Sequence, residues 1–167
     1  MIGFEFEKAL KFLCTYFHES ENLKKPTIFH SVRVGTFLWN LGYNEKLQIA
    51  GLLHDSLEDT TMTESFIQKE FGSEVLAIVQ ANTKNINLDK SERNEDIIRR
   101  CAEYGKDAIV IKVADVYDNF LFYISEGNIL EIERCKKLAN LISIHRHTSW
   151  NDPIFSKISE IQLYNNA

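Results

Sequence analysis

Four residues with metal-ligand side chains stand in otherwise apolar surroundings. His54 and Asp55 close the run Ala50-Gly51-Leu52-Leu53, and His30 interrupts a stripe of Ile28, Val32, Val34, Phe37 and Leu38. Asp115 lies within IVIKVADV (109–116). An imidazole or carboxylate in such a stretch is costly unless it is hydrogen-bonded, paired or bound to a metal. A lone His-Asp dipeptide is ordinarily a core histidine beside an exposed acid. The two further ligand-type residues in apolar runs, and the acids that follow, favour a site. Two imidazoles and two carboxylates make a mixed nitrogen/oxygen donor set. It suits Mn²⁺, Fe²⁺ or Mg²⁺, and it accommodates Zn²⁺. A cation held this way lowers the pKa of a bound water and polarises a phosphoryl oxygen, which is the chemistry of phosphoester hydrolysis.

The neighbouring polar residues extend the pattern. Glu58 is four residues beyond His54, and Asp59 four beyond Asp55. On one continuous helix each would stack a turn above its partner. Glu58 has the longer reach and is the better general base, although a solvated helix end would also explain the pair. Asn119 is one turn beyond Asp115. Arg33 follows His30 by three and either faces the same crevice or braces Asp55 or Asp59. Lys112 precedes Asp115 by three and either reaches a phosphate or snorkels out of a buried helix. Lys84 and Arg93 flank a polar stretch, KNINLDKSE (84–92), and read more simply as solvated loop cations. His145 and His147 lie outside any constellation.

The elements that must position these residues read as helices. Two prolines and seven glycines in 167 residues leave few breaks, which favours long helices over a turn-rich β fold. Apolar periodicity predicts helices over 4–18, 27–41, 44–58, 63–71 and 73–82, then 92–104, 107–123 and 128–147, with a shorter one after Pro153. Asn44, Thr63 and Ser73 are expected at helix starts, and Gly42, Gly72 and Gly105 at helix ends. The β-branched run at 109–113 could form a strand. The four-residue spacing of Asp115, Asn119 and Tyr123 favours a buried helix. The expectation is an all-α, single-domain bundle of eight or nine helices.

Composition narrows the function classes. Nineteen Lys plus Arg against 24 Asp plus Glu give a net charge of −5, a poor match for a polymeric nucleic-acid partner. No apolar run approaches the roughly 18 residues of a membrane span. The N-terminus lacks the basic and apolar regions of a secretory signal. Three cysteines (Cys14, Cys101, Cys135) without metal-type spacing suit a reducing compartment, so the expected location is the cytoplasm. A homo-oligomer is compatible with all of this.

Four ordered stretches resemble a known family. They are FHSVRVGTFL (29–38), IAGLLHDSLEDT (49–60), FGSEVLAIVQANTK (71–84) and AIVIKVADVYDN (108–119). Together they resemble the HD superfamily of metal-dependent phosphohydrolases. The Glu-Asp after His-Asp, the Phe-Gly-x-Glu-Val stretch and the Thr-Lys resemble its RelA/SpoT-type branch, which removes the 3′-pyrophosphate of (p)ppGpp. The resemblance implies one metal, usually Mn²⁺, on His30, His54, Asp55 and Asp115. It implies that Glu58 and Asp59 assist the attacking water, that Asn119 lies near substrate and water, and that Lys24 and Lys25 are the nucleotide-binding basic pair. It further implies a stand-alone alarmone hydrolase without a synthetase segment. Ser31 stands where the family often has proline, and Tyr117-Asp118 where it has Leu-His. Two alternatives are an HD-type nucleotidase or phosphodiesterase on another nucleotide, and a nucleotide-binding HD module without turnover.

Overall fold

The computed structural model describes residues 3–17, 25–89 and 91–165. They form ten α-helices and one short 3-10 helix, and their only β feature is an isolated antiparallel bridge between Phe17 and Thr60. The all-α expectation is met. The chain divides between Thr83 and Lys84 into two compact units.

The first unit contains α1 (Phe4–Tyr16), α2 (Thr27–Asn40), α3 (Glu45–Leu53), α4 (Ser56–Asp59), α5 (Glu64–Phe71) and α6 (Ser73–Asn82). The α2/α3 pair is its centre, and α3 also packs against α1 and α6. The turn between α2 and α3 is specified locally. Gly42 adopts φ +78°, and the Gly42 and Tyr43 amides donate to Trp39 O at 2.9 Å and Leu38 O at 3.1 Å. This is the double bond pattern of a Schellman stop. Two residues later the Asn44 Oδ1 accepts from the Leu47 amide at 3.0 Å and starts α3. Thr63 caps α5 in the same way, through the Phe66 amide at 3.2 Å. Ser73 is the first helical residue of α6 rather than its cap, because Gly72, at φ +90°, makes the turn.

Close approach of α2 to its neighbours depends on Gly35. A methyl group there would sit 3.1 Å from Leu52 Cβ on α3 and 2.9 Å from the Phe6 ring on α1. The glycine therefore sets how near the helix bearing His30 can come to the helix that leads into His54. Leu38, Leu52, Leu53 and Ile67 are fully buried in this unit.

The second unit contains α7 (Arg93–Tyr104), α8 (Lys106–Ser125), α9 (Ile129–His145), a 3-10 turn (Pro153–Phe155) and α10 (Ser156–Leu163). The β-branched run forms the first half of the 20-residue α8, where every residue from Ala108 to Ala114 is buried. Neighbours α7, α9 and α10 all pack on α8. A helix apolar on all sides is stable when it is enclosed, and enclosure outweighs the modest helix propensity of Val and Ile. The polar stretch 84–92 contains no helix among its described residues. Arg93 ties it down, donating from Nε to Leu88 O at 2.8 Å and from a terminal nitrogen to Ile86 O at 2.9 Å. No described helix is long and apolar enough to cross a membrane.

Candidate metal centre

The expected continuous helix over 44–58 is interrupted where the chemistry lies. Helix α3 ends at Leu53 and α4 begins at Ser56. His54 remains near helical geometry, but Asp55 turns to φ −97°, ψ 3°, the sparsely populated bridge region that recurs in active sites. A new helical start follows, with the Glu58 and Asp59 amides both donating to Asp55 O at 3.0 and 2.9 Å. On an uninterrupted helix the His54 and Asp55 side chains would diverge by about 100°. The break instead brings Asp55 Oδ2 to 3.2 Å from His54 Nε2. Glu58 and Asp59 accordingly belong to a separate short helix, half-buried, and are not stacked on α3.

His54 has its orientation fixed by the backbone. Its Nδ1 lies 2.8 Å from the Gly51 carbonyl oxygen. A carbonyl can only accept, so Nδ1 carries the proton and Nε2 presents a lone pair. That lone pair points toward His30 Nε2 at 3.2 Å, and His30 Nε2 lies 3.8 Å from Asp55 Oδ2. Both rings are fully buried. Donor atoms about 2.1 Å from one cation and about 90–110° apart would be separated by about 3.0–3.4 Å. The two 3.2 Å separations match this, and the third corresponds to a wider angle. His30 Nε2 can donate to that lone pair in one tautomer and, in the other, can turn its own lone pair to a shared cation. His30, His54 and Asp55 thus form a His-His-Asp cluster able to hold a divalent cation.

Asp115, in the second unit, accepts from two side chains of its own helix. Its Oδ2 accepts from Lys112 Nζ at 3.1 Å and its Oδ1 from Asn119 Nδ2 at 2.6 Å. Both donors lie on α8, one turn before and one turn after. Lys112 is 5% exposed, so it neither snorkels to solvent nor extends to the surface. The structure directs Lys112 and Asn119, expected on the nucleotide, to the two oxygens of Asp115.

The remaining candidates make the following contacts. Arg33 stacks on the exposed Phe29 ring with 4.9 Å to the centroid. Lys25 immediately precedes Pro26 and α2, and its carbonyl accepts from Thr27 Oγ1 at 3.4 Å. Lys24 lies outside the described residues. Tyr117 donates to Glu160 Oε2 at 2.6 Å, tying α8 to α10, and Lys157 lies over its ring. His145 approaches Glu95 at 3.8 Å, and His147 is exposed beside Ser149. Sequence reasoning did not identify Gly51, whose carbonyl sets the His54 tautomer. Its position three residues before the histidine was the available signal.

A family model described as "HD domain" matches residues 9–109, more than half of the chain. The chain belongs to the HD domain family. This HD domain is similar to the guanosine-3′,5′-bis(diphosphate) 3′-pyrophosphohydrolase of Aquifex aeolicus, 36% identical over 98 residues, covering 57% of this chain and 14% of that protein. It is also similar to the probable enzyme of the same name from Mycoplasma pneumoniae, 32% identical over 147 residues, covering 79% of this chain and 19% of that protein. The chain thus spans less than a fifth of either curated relative. Among solved structures it resembles a metazoan ortholog of SpoT, a protein described as hydrolysing ppGpp with a role in starvation responses. That match has a TM-score of 0.73 and 25% identity, over 95% of this chain and 93% of the other. It also resembles lmo0812 of Listeria monocytogenes EGD-e, with TM-score 0.69 and 25% identity, over 88% and 96% of the two chains. The expected resemblance to the RelA/SpoT type is borne out.

Proposed function

We propose that this HD domain is a divalent-metal-dependent hydrolase that removes the 3′-pyrophosphate from a (p)ppGpp-like guanosine nucleotide. The carrying observation is the convergence of His30 Nε2, His54 Nε2 and Asp55 Oδ2, with the His54 ring anchored on Gly51. The relatives named above support the choice of bond and substrate. In this reading His30, His54, Asp55 and Asp115 hold one cation, Mn²⁺ ahead of Fe²⁺, Mg²⁺ and Zn²⁺. Such a cation supplies a water of lowered pKa and polarises a phosphoryl oxygen.

The chain's own residues do the rest. Glu58 takes the proton of the attacking water on its carboxylate, and Asp59 orients that water. As the water oxygen bonds to phosphorus, the bond to the ribose 3′ oxygen breaks. The proton passes to that oxygen, giving a 3′-hydroxyl and free pyrophosphate. Lys24, Lys25 and Arg33 meet the phosphates. Lys112 and Asn119 act by holding Asp115. The family match runs across the boundary at 83/84, which supports the reading of a single hydrolase domain. A reducing, cytoplasmic setting agrees with three cysteines that form no disulfide.

The test is to incubate the full chain with ppGpp and Mn²⁺, with and without chelator, and follow GDP and pyrophosphate. Chelator-sensitive release is expected. Absence of hydrolysis across a nucleotide panel, with Mn²⁺ demonstrably bound, overturns the enzyme reading. Hydrolysis of another nucleotide but not ppGpp replaces the substrate.

A further inference from the structure

We propose that Lys112 is a built-in counter-charge for Asp115, a buried ammonium that satisfies this carboxylate in the metal-free protein and keeps it set for the cation. The second half rests on the reading of Asp115 as a ligand; the first half does not.

A lysine flanked by Ile109, Val110, Ile111, Val113 and Ala114, all buried, ordinarily stretches to solvent along its aliphatic stem. Lys112 instead keeps Nζ inside, 3.1 Å from Asp115 Oδ2. A buried ammonium persists only where it is paired. The thiol of Cys101, on α7, feels the Lys112 charge, but burial pushes that thiol up to about 11, so at neutral pH it contributes no negative charge. The pair spans three residues of one helix and needs only α8 to be formed. Asn119 takes the other oxygen, so donors from the turns before and after hold the carboxylate in one orientation.

This arrangement has two effects of opposite sign. It lowers the cost of a buried Asp115 before any metal arrives. It also places a positive charge beside the carboxylate that a metal would share, which weakens metal capture. Lys112 therefore trades metal affinity for a preformed, stable empty site.

Thermal unfolding of the full chain tests this, in chelator and in saturating Mn²⁺, for wild type, K112M, K112R and K112M/D115N. In chelator K112M should lose roughly 6–20 °C, because a buried carboxylate is left without its counter-charge. Mn²⁺ should raise the Tm of K112M by more than it raises wild type, since the metal supplies the missing charge. K112R should behave nearly as wild type. K112M/D115N should recover part of the metal-free loss, because no buried charge is then unpaired. A Lys112 that merely packs would give equal Mn²⁺ increments in wild type and K112M and no recovery in the double variant, and that result overturns the proposal. Absence of any Mn²⁺ increment in wild type overturns the metal reading, and the chelator series then decides the counter-charge alone. If K112M does not fold, K112R and the double variant still give the answer.

Discussion

The two units solve the problem of buried polar groups in different ways. In the first, ligand-type atoms of His30, His54 and Asp55 converge within 3.2–3.8 Å of one another. In the second, one carboxylate meets two donors, Lys112 and Asn119. Ligand-type atoms that share one point suit an external cation. An acceptor flanked by donors is satisfied by the chain itself. The first cluster is thus built to capture a charge, and the second to store a ligand in a stable form.

The sharpest way to break this comparison is His54→Gln. It removes the anchored lone pair, and hydrolysis should fall by about 10³-fold or more together with metal content. Retained metal with retained activity would show that the convergence is incidental. Glu58→Gln should lower turnover by about 10²–10⁴-fold while metal content stays at the wild-type level. A parallel loss of metal would move Glu58 into the ligand set. Gly35→Ala should cost about 1–3 kcal/mol of stability, read as a lower Tm, through its clash with Leu52 and Phe6. Because it pushes α2 away from α3, it should also weaken Mn²⁺ binding, which an overpacked site far from the cluster would not do.

The smallest expected effect concerns the exposed carboxylate of Glu160. The Lys157 hydrogen bond, and then that of Tyr117, hold the Glu160 carboxyl below its ordinary range. A carboxylate with depressed folded-state pKa stabilises above its unfolded pKa and loses that contribution as pH falls. Glu160→Gln should therefore lower Tm slightly at neutral pH, by under about 1 kcal/mol for so exposed a pair, and by nothing once the pH falls below the folded-state pKa. Activity should not change. An equal loss in acid would assign the effect to packing.

Much of this could be read from residue types and spacing, and the part that could not has a physical reason. His30 and His54 stood out because imidazoles in apolar stripes are costly, and the structure brings their Nε2 atoms together. The helix at 107–123 was recoverable because the spacing of Asp115, Asn119 and Tyr123 outweighed the β-branched run. The break at His54-Asp55 was not legible. No glycine or proline marks it, and the apolar pattern continues through Leu57. The pairing of Lys112 with Asp115 was available as an i, i+3 spacing, but the same spacing serves a solvent-reaching lysine equally well. Only the burial of the ammonium separates the two.

The most direct test of the metal centre is pulsed EPR on the chain loaded with Mn²⁺. Two histidine nitrogens should couple to one bound ion, and His30→Gln or His54→Gln should each remove one coupling. A bound ion without imidazole couplings, or couplings unchanged in both variants, would contradict the site described here.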